Sequence, residues 1–136
     1  MIWIKRLAVL LLVYVGIVVA FETLIGVLQP QSDNTMVLTS AADDGATLNR
    51  VVTRIEFDGK LYAAVNHWPR AWYGQVLENP DVNVTIGETT AAYRAVDVTD
   101  PAEFDAAQAA RPLGPVIKLL TGFPPRRFVR FDPIAG

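Results

Sequence analysis

The chain changes character once. From Leu7 to Leu28 the sequence LAVLLLVYVGIVVAFETLIGVL is apolar apart from Thr23 and Glu22, while the remainder breaks into short runs of alternating polarity. A core helix keeps a polar face, and this run has none over its first fifteen residues. As a helix, its twenty-two residues rise about 33 Å, enough for a hydrocarbon layer of roughly 30 Å. The pattern predicts a membrane-spanning helix, stopped by Pro30 in the polar linker QPQSDN.

Beyond the linker the period is two. Met36–Thr39 reads as a strand. Thr47–Asp58 alternates, with Val51, Thr53, Ile55 and Phe57 on one face and Val52, Arg54, Glu56 and Asp58 on the other. Asp58-Gly59 is a hairpin signal, because both residues tolerate positive φ, and the strand returns over Lys60–Asn66. A short helix over Ala71–Glu78 stops at Asn79-Pro80. Strands at Asp81–Ile86 and Thr89–Val98 flank a Gly87-Glu88 turn. Asp100-Pro101-Ala102-Glu103 opens a helix to Ala110, with Asp as N-cap and Pro in the first turn. A helical piece over Val116–Leu120 and a strand over Arg127–Phe131 close the chain. Six short strands with few helices predict a mainly β, six-stranded antiparallel barrel with helices over its openings. The expected organisation is an anchor at 1–30, a linker at 31–35 and a barrel domain at 36–136.

Charge sets an orientation. Lys5 and Arg6 precede the apolar run, and the next cation is Arg50. The positive-inside bias therefore predicts a cytoplasmic N-terminus and a barrel on the far side of a cell membrane. A cleavable signal with a site near Val18-Val19-Ala20 is the rival, but the run continues past what a signal core needs. With no cysteine, disulfides, thiolate chemistry and most structural zinc sites are excluded. A net charge of −2 argues against a nucleic-acid partner.

Candidate chemistry gathers in NHWPRAWYGQVLENP, residues 66–80, which holds the sole histidine, His67, and two of the three tryptophans, Trp68 and Trp72. His67 titrates near neutrality and suits proton donation; a loop histidine held by hydrogen bonds is the plainer account. Trp68, Trp72 and Tyr73 can stack on a planar ring or plug the barrel end. With no second His or Cys, no metal site is expected. Arg50 and Arg54 lie four residues apart on one strand face. Glu22, an acid inside the spanning helix, points to a partner helix or to the interface. Arg126 and Arg127 follow Leu119, Leu120 and Phe123 in LLTGFPPRR, a segment suited to lipid headgroups or a partner subunit.

RIEFDGKLYAAVN followed by AWYGQVLENPDVNVTIG resembles the deazaflavin (F420)-dependent nitroreductase and quinone-reductase family, within the split-barrel group of flavin-binding domains. The resemblance covers roughly residues 36–132; its most specific part is Trp72-Tyr73, then Leu77, Glu78-Asn79-Pro80 and Val82. It implies a split barrel binding F420 or flavin mononucleotide, with hydride passed to a quinone or nitro-type acceptor. His67 would then be catalytic, Asn66, Trp68, Trp72 and Tyr73 would hold the ring, and Arg50 and Arg54 would stand on the phosphate side. In that family the segment after the first strand is rich in Gly, Arg, Lys and Ser. Here it is SAADDGAT, where Asp43 and Asp44 repel a phosphate. Outside the cytoplasm, reduced deazaflavin and nicotinamide are not at hand. Two expectations follow: a membrane-anchored reductase-like domain, or a non-catalytic accessory subunit of a membrane complex whose barrel is a docking module.

Overall fold

The computed structural model describes residues 1–28, 32–42, 44–65 and 71–134. Its elements run α1 (Ile2–Leu28), β1 (Thr35–Ala41), β2 (Thr47–Phe57), β3 (Lys60–Val65), α2 (Ala71–Glu78), β4 (Asp81–Ile86), β5 (Thr89–Asp97), α3 (Pro101–Ala110), α4 (Pro115–Thr121) and β6 (Arg127–Pro133). The six strands close a barrel in the order β1-β2-β3-β6-β5-β4, every neighbouring pair antiparallel. The expected six-stranded antiparallel barrel is the observed fold.

Turn chemistry sets the register. Asp58 (φ 53°) and Gly59 (φ 71°) are both left-handed, the backbone that a two-residue hairpin matching strand twist requires. They pair Phe57 with Lys60 and carry the ladder down to Thr53–Ala64. Asp100 caps α3 as its sequence predicts, accepting from the Glu103 N–H at 3.0 Å ahead of a first-turn proline.

Two apolar clusters share the wall formed by β2, β3 and β6. Inside the barrel, Met36, Leu38, Val52, Leu61, Ala63, Val65, Val82, Val84, Ala95, Val129 and Phe131 pack with Trp72 and Val76 of α2. Outside it, Ile55, Tyr62, Ala64, Val98 and Phe128 are covered by Ala107 and Phe104 of α3. Alternation along β2 therefore separates two buried surfaces. The face with Val52, Arg54 and Glu56 lines the barrel until it opens at that end. The face with Ile55 and Phe57 is the one beneath α3.

A charged lock holds α3 in place. The Arg130 guanidinium donates to Glu103 at 2.7 Å and to Asp132 at 2.8 Å, and the Tyr62 hydroxyl donates to the same Glu103 at 3.0 Å. Phe104 meets Phe128 edge to face, ring centroids 5.1 Å apart.

Helix α1 is the one element here long and apolar enough to cross a membrane among the described residues, and none of its residues is fully buried. Its partly buried positions are Tyr14, Val18, Phe21, Glu22, Ile25 and Gly26, one stripe of a helix surface. Hydrogen bonds tie that stripe to the rest of the protein. The Tyr14 hydroxyl donates to the Leu119 carbonyl at 2.9 Å, and Arg50 Nη1 donates to the Gly26 carbonyl at 3.0 Å.

Candidate functional site

Helix α2 stops one end of the barrel. Trp72 and Val76, four residues apart and so on one face, both belong to the interior cluster, with Trp72 only 5% exposed. Trp72 meets Tyr73 edge to face at 6.1 Å. The Tyr73 hydroxyl donates to Asp97 Oδ1 on β5 at 2.8 Å. Burial, then that hydrogen bond and the carboxylate's charge, push the phenol up to about 12. Tyr73 thus keeps its proton and donates a hydrogen bond to Asp97.

Tyr62 is raised to about 12 in the same way, by burial first and Glu103 next. Both shifts mark an acid whose folded-state pKa exceeds its ordinary value near 10. Their stabilisation is complete below that value and is lost as pH rises through the folded one. The native chain should therefore lose stability steeply between about pH 10 and 12, and a Tyr62→Phe, Tyr73→Phe double variant should lack most of that slope. Chemical denaturation at stepped alkaline pH checks this.

The remaining candidates fall in three places. Asn66, His67 and Trp68, with Arg70 and Asp43, lie outside the described residues. Arg50 shares the inward face of β2 with Leu48 and Val52, and its guanidinium reaches the end of α1. A cation there also favours the helix C-terminus. Arg54 donates to the Asp33 carbonyl at 2.6 Å and lies 3.6 Å from Glu56. Both arginines thus brace the entry from α1 into β1. Glu22, assigned to a membrane partner, is partly buried and already takes part in an interaction within the chain.

Two residues near α2 carry chemistry that the sequence reading passed over. Asp97 is the acceptor for Tyr73. Gln75, one turn beyond Trp72, buries its side-chain Nε2 without a hydrogen-bond partner, a costly state for a donor. Its spacing from Trp72 was the available signal.

These residues fit a flavin-type group at one end only. The Gln75 amide is a donor lacking an acceptor, which a ring carbonyl would supply. The β1–β2 turn is not a phosphate cradle. Its Ala42 N–H bonds the Ala46 carbonyl, the Gly45 N–H bonds the Ala42 carbonyl, and the Ala46 N–H bonds Asp44 Oδ1. A phosphate needs free N–H groups and positive charge; here the N–H groups of Ala42, Gly45 and Ala46 are already bonded within the turn, and Asp44 is an acid. Clefts bounded by described residues lie elsewhere, one of about 340 Å³ beside Arg54, Met36 and Ile86 and one of about 320 Å³ beside Lys60, Tyr93 and Phe131.

No family model matches the sequence, and no curated protein does. Solved structures do match. An F420-H2-dependent reductase superposes with a TM-score of 0.54 at 18% identity, over 73% of this chain and 94% of that one. A FAD-binding protein from Mesorhizobium loti gives 0.54 at 18%, over 81% and 86%. HutZ, the heme storage protein from Vibrio cholerae, gives 0.55 at 20%, over 78% and 85%. The fold is thus the split barrel shared by these proteins. Their differing ligands leave the chemistry to the residues of each site.

Proposed function

We propose that this chain is a membrane-anchored, reductase-like split barrel. It takes a flavin or deazaflavin ring beside α2 and reduces a quinone- or nitro-type acceptor. The observation that carries the reading is α2 itself, which follows the aromatic segment and closes one barrel end with Trp72 packed inside, Tyr73 half-buried beside it and a Gln75 amide that has no hydrogen-bond partner among the described residues. Split-barrel neighbours named for F420-H2 and FAD support it. When bound, the ring would supply the hydride chemistry. Asn66, His67 and Trp68 are its assigned neighbours, His67 as proton donor, with Arg50 and Arg54 the nearest cations. A membrane-borne quinone suits a domain tethered by α1 with its N-terminus in the cytoplasm.

A second reading, a non-catalytic accessory subunit, is favoured by one observation: in the β1–β2 turn the N–H groups of Ala42, Gly45 and Ala46 are bonded within the turn itself. Activity of the full chain in mild detergent distinguishes the two. The reductase reading expects oxidation of reduced F420 or reduced flavin mononucleotide that depends on both protein and added quinone, and that falls at least about tenfold in His67→Ala. No turnover with either carrier, together with stoichiometric co-purifying proteins, would establish the accessory role.

A further inference from the structure

Helix α4 is short and ends in a left-handed Gly122 cap. The Lys118 carbonyl accepts from the Phe123 N–H at 2.9 Å and from Thr121 Oγ1 at 3.2 Å. The Leu119 carbonyl accepts from the Gly122 N–H at 3.4 Å and from the Tyr14 hydroxyl at 2.9 Å. The last four carbonyls of a helix lack intrahelical partners; two of the four here, those of Lys118 and Leu119, are satisfied by the chain, which lowers the cost of placing this end against lipid.

The side chains have the opposite character. Val116, Leu119 and Phe123 are 66%, 52% and 62% exposed; Val116 and Leu119 lie three apart on one stripe of the helix, and Phe123 follows its Gly122 cap. Phe123 also holds a left-handed backbone, φ 55°, unusual for a bulky residue. The strained corner presents an aromatic ring outward instead of burying it. Lys118 lines the cleft beside this stripe, where a long cationic side chain can reach headgroups.

Position relative to α1 adds the remaining constraint. Tyr14 and Gly26, the two hydrogen-bonded points, are about 18 Å apart along the helix. Helix α4 therefore lies beside the middle of the apolar helix, not beyond its end. The exposed Val13, Ile17 and Leu24 of α1 and the α4 stripe are all apolar. We infer that α4 and the Phe123 corner are a second lipid-facing element, entering the bilayer with α1, so that the barrel sits against the membrane on this side. The inference rests on the anchored reading above.

The chain has no cysteine, so single-cysteine variants can carry an environment-sensitive fluorophore. Label the full chain at Leu11→Cys, Val116→Cys, Phe123→Cys and Glu88→Cys, and reconstitute it in phosphatidylcholine vesicles containing acyl-chain nitroxide lipid. Quenching at 11, 116 and 123 severalfold above that at 88 is the expected result. Quenching at 11 with 116 and 123 matching 88 would overturn the α4 inference and leave the anchor intact. Labels at 116 and 123 shielded from both nitroxide lipid and aqueous iodide would mean protein covers the stripe, a second copy for instance, and would also overturn it. No quenching at 11 would remove the anchor and this inference with it.

Discussion

Replacing Trp72 by alanine will lower the unfolding free energy by about 3–5 kcal/mol, the cost of removing a large aromatic from a packed core. For a domain of about 100 residues that is a fall in Tm of more than roughly 10 °C. The indole is 5% exposed among Val76, Val82 and Val84 of the interior cluster, so nothing in solution compensates its loss. Trp72→Phe keeps most of the buried area and should recover most of the stability. The comparison also bears on function. A tryptophan serving only as a surface platform for a ring would cost ligand affinity and little stability. Thermal melts of the three proteins in one detergent measure the difference directly.

Arg130→Ala is expected to cost about 2–3 kcal/mol. Loss of one partner of a buried ion pair typically costs 3–5 kcal/mol, and the Arg130 and Glu103 side chains retain 22% and 20% exposure, which screens part of it. What remains is large because one guanidinium satisfies two carboxylates: Nη1 on Glu103, and Nε and Nη2 on Asp132. Lysine cannot reproduce that fork, so Arg130→Lys should recover only a minor share. The lock joins α3 to β6 and β3, so hydrogen exchange should rise first in Pro101–Ala110. If the Arg130→Ala, Glu103→Gln double variant is as unstable as the sum of the singles, the pair is not coupled and the lock is wrongly assigned.

Much of this architecture was legible because each strand announces itself locally. Asp58-Gly59 and Gly87 fix hairpins through positive φ, and Asp100-Pro101 starts α3. Helix α2 and strand β4 have the bounds that periodicity and Asn79-Pro80 predict. Less legible was which face of β2 is inside. A strand with apolar residues on both faces serves two cores, and alternation alone does not say that Val52 enters the barrel while Ile55 meets α3. The settings of the arginines were hidden for a related reason. Arg50 and Arg54 share a face, as spacing requires, and they donate to the carbonyls of Gly26 and Asp33, contacts across the fold that no local pattern encodes. Tyr14 hid similarly, its hydroxyl explained only by Leu119, 105 residues away.

The candidate site divides along the same line. That α2 follows an aromatic segment was visible in the sequence; that its Gln75 amide is buried without an acceptor required coordinates. The acids of SAADDGAT already opposed a phosphate, and the structure adds to this, because Asp44 and the turn's own carbonyls occupy the N–H groups of Ala42, Gly45 and Ala46. Affinity for a flavin-type carrier must then come from the ring, with its phosphate contributing little.

The most direct measurement is an equilibrium titration of the full chain in mild detergent with riboflavin, flavin mononucleotide and F420, followed by quenching of flavin and tryptophan fluorescence. A ring held beside α2 without a phosphate cradle predicts saturable binding, with riboflavin and flavin mononucleotide within about threefold of each other. Absence of saturable binding by all three compounds would contradict the ring site beside α2.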